Sequence, residues 1–305
     1  MLAACALLCA GAANADITRL PPDVATAIAA MGPNLSRDVV MKTNALMGPL
    51  APMTPPASVT IAMDVAYGDD PLQKIDVFSP EKAHGRSIVV FFHGGGFVAE
   101  DKSHFGNVMS YFAAHGLVAV NANYRLAPKV VWPAESQDVG AVVAFLKAHA
   151  KDYGGNAQRI FLIGHSAGAN IVAGYVLDPS LHPKGGPGVI AAILVSLPAS
   201  RVVSITDPDR DLIYYGKDKS LYQKRAPASH LNESKLPLML VTAEFDPVAL
   251  APDAYDMAAR TCVRDGKCPA FLYLKGHNHI SEIGSIGSKD DELGSRILDF
   301  VRTTR

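Results

Sequence analysis

The chain has 305 residues, of which 49% are hydrophobic and 19% charged, with a formal net charge of -1. That length and apolar content supply a large buried core and exclude a disordered chain. Acids and bases are spread along the sequence, which leaves no electrostatic footprint for nucleic acid or an anionic membrane surface.

Residues 1–15 are apolar and alanine-rich, and they end in Ala13-Asn14-Ala15, a small-x-small cleavage pattern before Asp16. They read as the back half of a secretory signal peptide, without its positive n-region. The run is too short to span a bilayer, and no later stretch is long enough for stable membrane insertion. An exported chain, periplasmic or secreted, is expected. Leu2-Ala3-Ala4-Cys5 resembles a lipoprotein acylation site, a second expectation ranked below the first. Cleavage removes Cys5 and Cys9 and leaves Cys262 and Cys268 around Val-Arg-Asp-Gly-Lys. In an oxidising compartment this pair is expected to form a local disulfide. With no further Cys nearby, it is a poor zinc site.

Residues 16–57 are rich in Pro and Gly, with short helical patches, and read as an N-terminal arm. From residue 58 to 305 the texture changes to that of one folded domain. Ser58 to Tyr67 and Leu72 to Phe78 alternate apolar and polar, predicting two antiparallel strands with one covered face, joined by a turn at Gly68-Asp69-Asp70-Pro71. Short apolar runs follow at 87–92, 117–120, 160–163, 191–195, 238–241 and 270–274, as in buried parallel strands. Helical patterns sit between many of them. In the clearest, Val139, Val142, Val143 and Leu146 share one face. The fold class is therefore α/β, a mostly parallel sheet covered by helices on both sides. Residues 200–236 lose that rhythm and are expected to form a cap segment.

After the run at 160–163 stands Gly164-His165-Ser166-Ala167-Gly168, followed by a helical pattern. This is G-x-S-x-G in its strand–turn–helix setting, which makes Ser166 the candidate nucleophile. Upstream, His93-Gly94-Gly95-Gly96-Phe97 follows the run ending at Phe92. Its glycines let backbone N–H groups turn toward a developing oxyanion, with Gly94, Gly95 and Ala167 as expected donors. His93 reads as a brace of that loop. A phosphate cradle is excluded because neither the Gly-Lys-Ser/Thr nor the G-x-G-x-x-G spacing is present.

With Asn123-Tyr124-Arg125-Leu126-Ala127-Pro128, Pro133-Ala134 and Asp138, these motifs resemble the hormone-sensitive-lipase-like branch of the α/β-hydrolase esterases. The resemblance is specific over residues 88–178 and weaker over 58–303. It implies an α/β-hydrolase fold, a Ser-Asp-His triad, no cofactor and no metal, and a small-molecule ester as substrate.

The order Ser, acid, His then directs attention downstream. The run at 238–241 leads into Glu244-Phe245-Asp246-Pro247-Val248, and Asp246 matches the family's acid, with Glu244 as rival. Ala249-Leu250-Ala251 replaces the charged residues the family usually carries there. Past 274 comes Gly276-His277-Asn278-His279-Ile280-Ser281. The aromatic usual two residues after the family's His is missing. The His-Ile-Ser form looks more like kynurenine-formamidase-like esterases, with His279 as base in preference to His277. A metal held by both histidines lacks a third ligand nearby. The leading expectation is a carboxylesterase for small or medium esters. Amidase or formamidase action, polysaccharide deacetylation and, last, a non-catalytic binding module are the alternatives.

Overall fold

The structure, a computed structural model, describes residues 19–51, 56–198 and 208–305. The expected signal peptide, with Cys5 and Cys9, lies outside the described residues. So do parts of the arm and of the 200–236 segment.

The expected strand runs become β1 (Val59–Ala66), β2 (Lys74–Pro80), β3 (Arg86–Phe92), β4 (Val118–Ala122), β5 (Gly155–His165), β6 (Ala191–Val195), β7 (Leu238–Phe245) and β8 (Ala270–Asn278). They make one sheet in the order β1-β2-β4-β3-β5-β6-β7-β8. β2 pairs antiparallel with β1 and with β4, and the remaining pairs are parallel.

The continuous apolar runs follow from burial on two faces. Along β3, Ile88, Val90 and Phe92 join one core while Val89 and Phe91 join the other. The first core is closed by α4 (Ala134–His149) and α5 (Ala167–Leu177), through Val139, Leu146, Ile171 and Val176. The second is closed by α3 (Gly106–Ala114) and α10 (Glu292–Thr303), through Met109, Phe112 and Ile297. The helical stripe of Val139, Val142, Val143 and Leu146 is buried throughout.

β2 differs from the one-faced strand its alternation predicts. Ile75, Asp76, Val77 and Phe78 are all buried, because the carboxylate that reads as solvent-facing pairs instead with the buried Lys102 at 2.7 Å. β1 at the sheet edge is the more exposed strand.

The described part of the arm is more regular than its Pro and Gly content suggests. It holds α1 (Pro22–Met31) and α2 (Arg37–Met47), and the Ser36 side chain accepts from the Val39 N–H to cap α2. Leu20, Val24, Ile28 and Met47 make a small core against Phe245, and the Asn278 side chain donates to Thr43 Oγ1 at 2.9 Å. The arm thus lies over the ends of β7 and β8. From residue 208 the chain forms α6 (Pro208–Tyr215), α7 (Tyr222–Arg225) and a 3-10 stretch over Pro227–Glu233 that packs on α5. Beyond β7 come α8 (Ala251–Asp265) and, after β8, the short α9 (Ser281–Gly284). Cys262 and Cys268 are bridged. Among the described residues no helix is long and apolar enough to cross a membrane.

Candidate active site

The parallel strands β3, β5, β6, β7 and β8 all end at one edge of the sheet, and each contributes a residue there. β5 delivers Ser166. The chain turns from strand to helix in one residue, so Ser166 takes φ 54° and ψ -122°, a left-handed conformation that side chains rarely adopt. Its N–H donates to the Val195 carbonyl at 2.9 Å, and its carbonyl accepts from the Ala169 and Asn170 N–H groups. The turn closes only because the neighbouring backbone passes very near. A Cβ at Gly168 would lie 2.1 Å from the Phe92 carbonyl oxygen.

β3 delivers the glycine loop. Gly95 and Gly96 have positive φ, and a Cβ on Gly94 would stand 3.0 Å from the Ser166 Cβ, so this backbone lies directly against the serine. Ala167 is the first residue of α5, and its N–H has no acceptor within the helix. Phenolic bracing fixes the loop: Tyr124 is fully buried and its hydroxyl faces the carbonyls of His93 and Gly94 at 2.9 and 3.0 Å. His93 is buried, stacks on Tyr124 and sets its ring nitrogens against the Gly94 carbonyl and Asn123 Oδ1. Burial lowers the pKa of the His93 ring.

β7 and β8 deliver an acid and a histidine. Asp246 and His279 are buried, and the His279 Nδ1–H donates to Asp246 Oδ1 at 2.9 Å. The other Asp246 oxygen accepts from Ser196 Oγ at 2.5 Å, Thr242 Oγ1 at 2.9 Å and the Ala243 N–H at 2.9 Å. Burial works to raise this carboxyl, but the hydrogen bonds and the His279 ring outweigh it and hold the pKa below the usual value. An ionised carboxylate only accepts, so the shared proton sits on Nδ1 and Nε2 keeps its lone pair.

The rival residues have other partners. Glu244 is exposed, and Glu244 Oε2 accepts from the Gly276 N–H at 2.7 Å. His277 is buried, with Nδ1 3.2 Å from Ser281 Oγ and Nε2 3.4 Å from Asp290. It is therefore Asp246 and His279 that the fold joins.

Two contributors carry no sequence motif. Ser196, at the end of β6 with φ 48°, grips Asp246. Glu282, three residues after His279 at the start of α9, is fully buried beside His165 and His279. An acid at i+3 from the candidate base was the one legible hint of it. His165, His279 and Glu282 offer ligand-type atoms within 4.8 Å of one another. Their chemistry fits a hydrogen-bonded cluster better than a cation. The His165 Nε2 faces the His279 carbonyl at 2.9 Å and must donate, so it has no lone pair to offer. Burial, with His279 alongside, pushes the His165 pKa down to about 3, so its ring stays neutral.

Comparison with known proteins bears on the fold and on the kind of relatives the chain has. The BD-FAE family model matches residues 75–177. Esterase LipQ of Mycobacterium tuberculosis is 26% identical over 233 residues, covering 70% of this chain and 55% of LipQ. Human hormone-sensitive lipase is 30% identical over 164 residues, covering 51% of this chain and 15% of the lipase. The matches therefore span about half of LipQ and far less of the lipase. Among solved structures, esterase B from Lactobacillus rhamnosis superposes with a TM-score of 0.72 at 18% identity, covering 92% of this chain and 95% of that one. A bacterial heroin esterase gives 0.70 at 24% identity, covering 94% and 98%. At these identities the superpositions speak to the fold. The chain has the α/β-hydrolase fold, and its sequence relatives include esterases and hormone-sensitive lipase.

Proposed function

We propose that this protein is a serine carboxylesterase acting on small or medium carboxylic esters, with Ser166 as nucleophile, His279 as base and Asp246 as its partner. The hydrogen bond from His279 Nδ1 to the buried Asp246 carries the reading, because it leaves Nε2 as a base at the sheet edge where Ser166 stands. His279 takes the Ser166 proton as the hydroxyl attacks the ester carbonyl. The amides of Gly94, Gly95 and Ala167 stabilise the oxyanion, and each such donor contributes about 3 kcal/mol in comparable sites. Protonated His279 returns its proton to the leaving alkoxide, and an acyl-enzyme forms. Water, deprotonated by His279, then releases the carboxylic acid.

The purified protein should hydrolyse p-nitrophenyl acetate, and Ser166→Ala should lower kcat by about 10⁴-fold or more. An Ala variant with full activity would reject the assignment. The proposal includes export of the chain. The bridged Cys262–Cys268 pair supports it, since such bridges persist mainly in oxidising compartments. Fractionation of a bacterial host that leaves the chain wholly in the cytosol would refute export.

A further inference from the structure

Glu282 has no assigned task, yet its placement is costly. It is fully buried, and neither carboxyl oxygen closes a well-aligned hydrogen bond with the Ser196 and His165 groups beside it, a state that native structures rarely leave without a reason. The groups facing it come from four strand ends: His165 from β5, Ser196 from β6, Asp246 from β7 and His279 from β8. Oε1 stands 3.3 Å from His165 Nε2 and 4.0 Å from His279 Nδ1. The second distance exceeds hydrogen-bond reach by only about 1 Å.

The backbone that carries Glu282 is pinned. Asn278 Oδ1 accepts from the N–H groups of Ile280 and Ser281, and the Asn278 amide is tied to Thr43. Only the side chain has to move for the gap to close. Burial, reinforced by the Asp246 charge, raises the Glu282 pKa well above the usual value, so the group is neutral while Asp246 is ionised.

We propose that Glu282 is a second carboxyl partner of His279, a positioning residue that holds the imidazole beside Asp246 and accepts the Nδ1 hydrogen bond when Asp246 is lost. The proposal rests on His279 being the base. With Asp246 removed, Nδ1 loses its acceptor while burial still raises the Glu282 carboxyl; the imidazolium formed at His279 then favours release of the Glu282 proton to solvent, and the carboxylate accepts from Nδ1.

The test is a double-mutant cycle on p-nitrophenyl acetate with Asp246→Ala, Glu282→Gln and both together, reading kcat and KM. In the native background Glu282→Gln should lower kcat only about 2- to 5-fold. In the Asp246→Ala background it should lower the residual kcat about 30-fold or more, with KM unchanged. An equal factor in both backgrounds marks a space-filling role and overturns the proposal. If Glu282→Gln does not fold, a crystal structure of Asp246→Ala decides: Oε1 should lie within hydrogen-bond distance of Nδ1, and a carboxyl still 4 Å away is the contrary result. Wild-type kcat in Asp246→Ala would instead defeat the reading of Asp246 as the triad acid.

Discussion

His277 and His279 stand two residues apart at the end of β8, and strand alternation alone would point both to the same side. The strand ends at Asn278, however, and the turn into α9 sends the two rings to different partners. His279 reaches Asp246, while His277 sits against Ser281 and Asp290. Replacing each by alanine therefore separates chemistry from packing. His279→Ala should lower kcat by about 10⁴-fold with a small change in melting temperature. His277→Ala should keep kcat within about tenfold and lose about 1–3 kcal/mol of stability, because it removes a buried ring and leaves a cavity behind it. Steady-state kinetics and denaturant melts on the two variants check this, and exchanged results would exchange the roles. The same logic separates Asp246 from Glu244, whose exposed carboxylate accepts from the Gly276 N–H on β8.

At the scale of elements, the first turn of α4 places Glu135 in the core, with no hydrogen-bond partner at either oxygen. Burial pushes its pKa up to about 7, with Asp138 adding like-charge repulsion. The sign follows directly. A carboxyl whose folded pKa is raised holds more protons folded than unfolded, so its contribution is full below about pH 4.5 and is lost as pH rises through 7. The loss is on the order of 3 kcal/mol. Glu135→Gln stays neutral and should match the wild type at pH 4 but exceed it at pH 8, by urea midpoint. A constant difference across that range would contradict the account. The glycine loop offers a kinetic counterpart. Gly94→Ala sets a Cβ 3.0 Å from the Ser166 Cβ and 3.3 Å from His165 Nδ1. The loop must shift, and kcat should fall about 10- to 100-fold while the melting temperature moves little. A variant with unchanged kcat would show that the loop has room to spare.

Across the whole molecule, what could be read in advance was whatever leaves a local signature. β3 and β5 were legible as uninterrupted apolar runs because both their faces are covered. Ser166 and the glycine loop were legible because strained or crowded backbone restricts residue type. Ser196 and the Thr43–Asn278 tie were not, since their partners lie 50 and 235 residues away, and Glu282 was hinted at only by its spacing from His279, because composition cannot reveal its burial. Asp76 misled for the same reason, its partner Lys102 lying 26 positions on.

The disulfide belongs to this scale as well, because its effect depends on where it sits relative to the site. α8 leaves the sheet edge that holds Asp246 and runs back along the sheet, so Cys262 lies near its far end, and Cys268 just precedes the start of β8. The bridge therefore closes a six-residue separation at the edge of the sheet opposite Ser166. A loop this short removes little entropy from the unfolded chain, about 2 kcal/mol in the chain-entropy account. Cys268 is exposed, so a reductant can reach it. Reduction, or the Cys262→Ser/Cys268→Ser double variant, should lower the unfolding free energy from urea melts by that amount and leave kcat and KM within twofold. A tenfold loss of kcat without unfolding would mean that α8 transmits the bridge to Asp246, and that the two edges of the sheet are not independent.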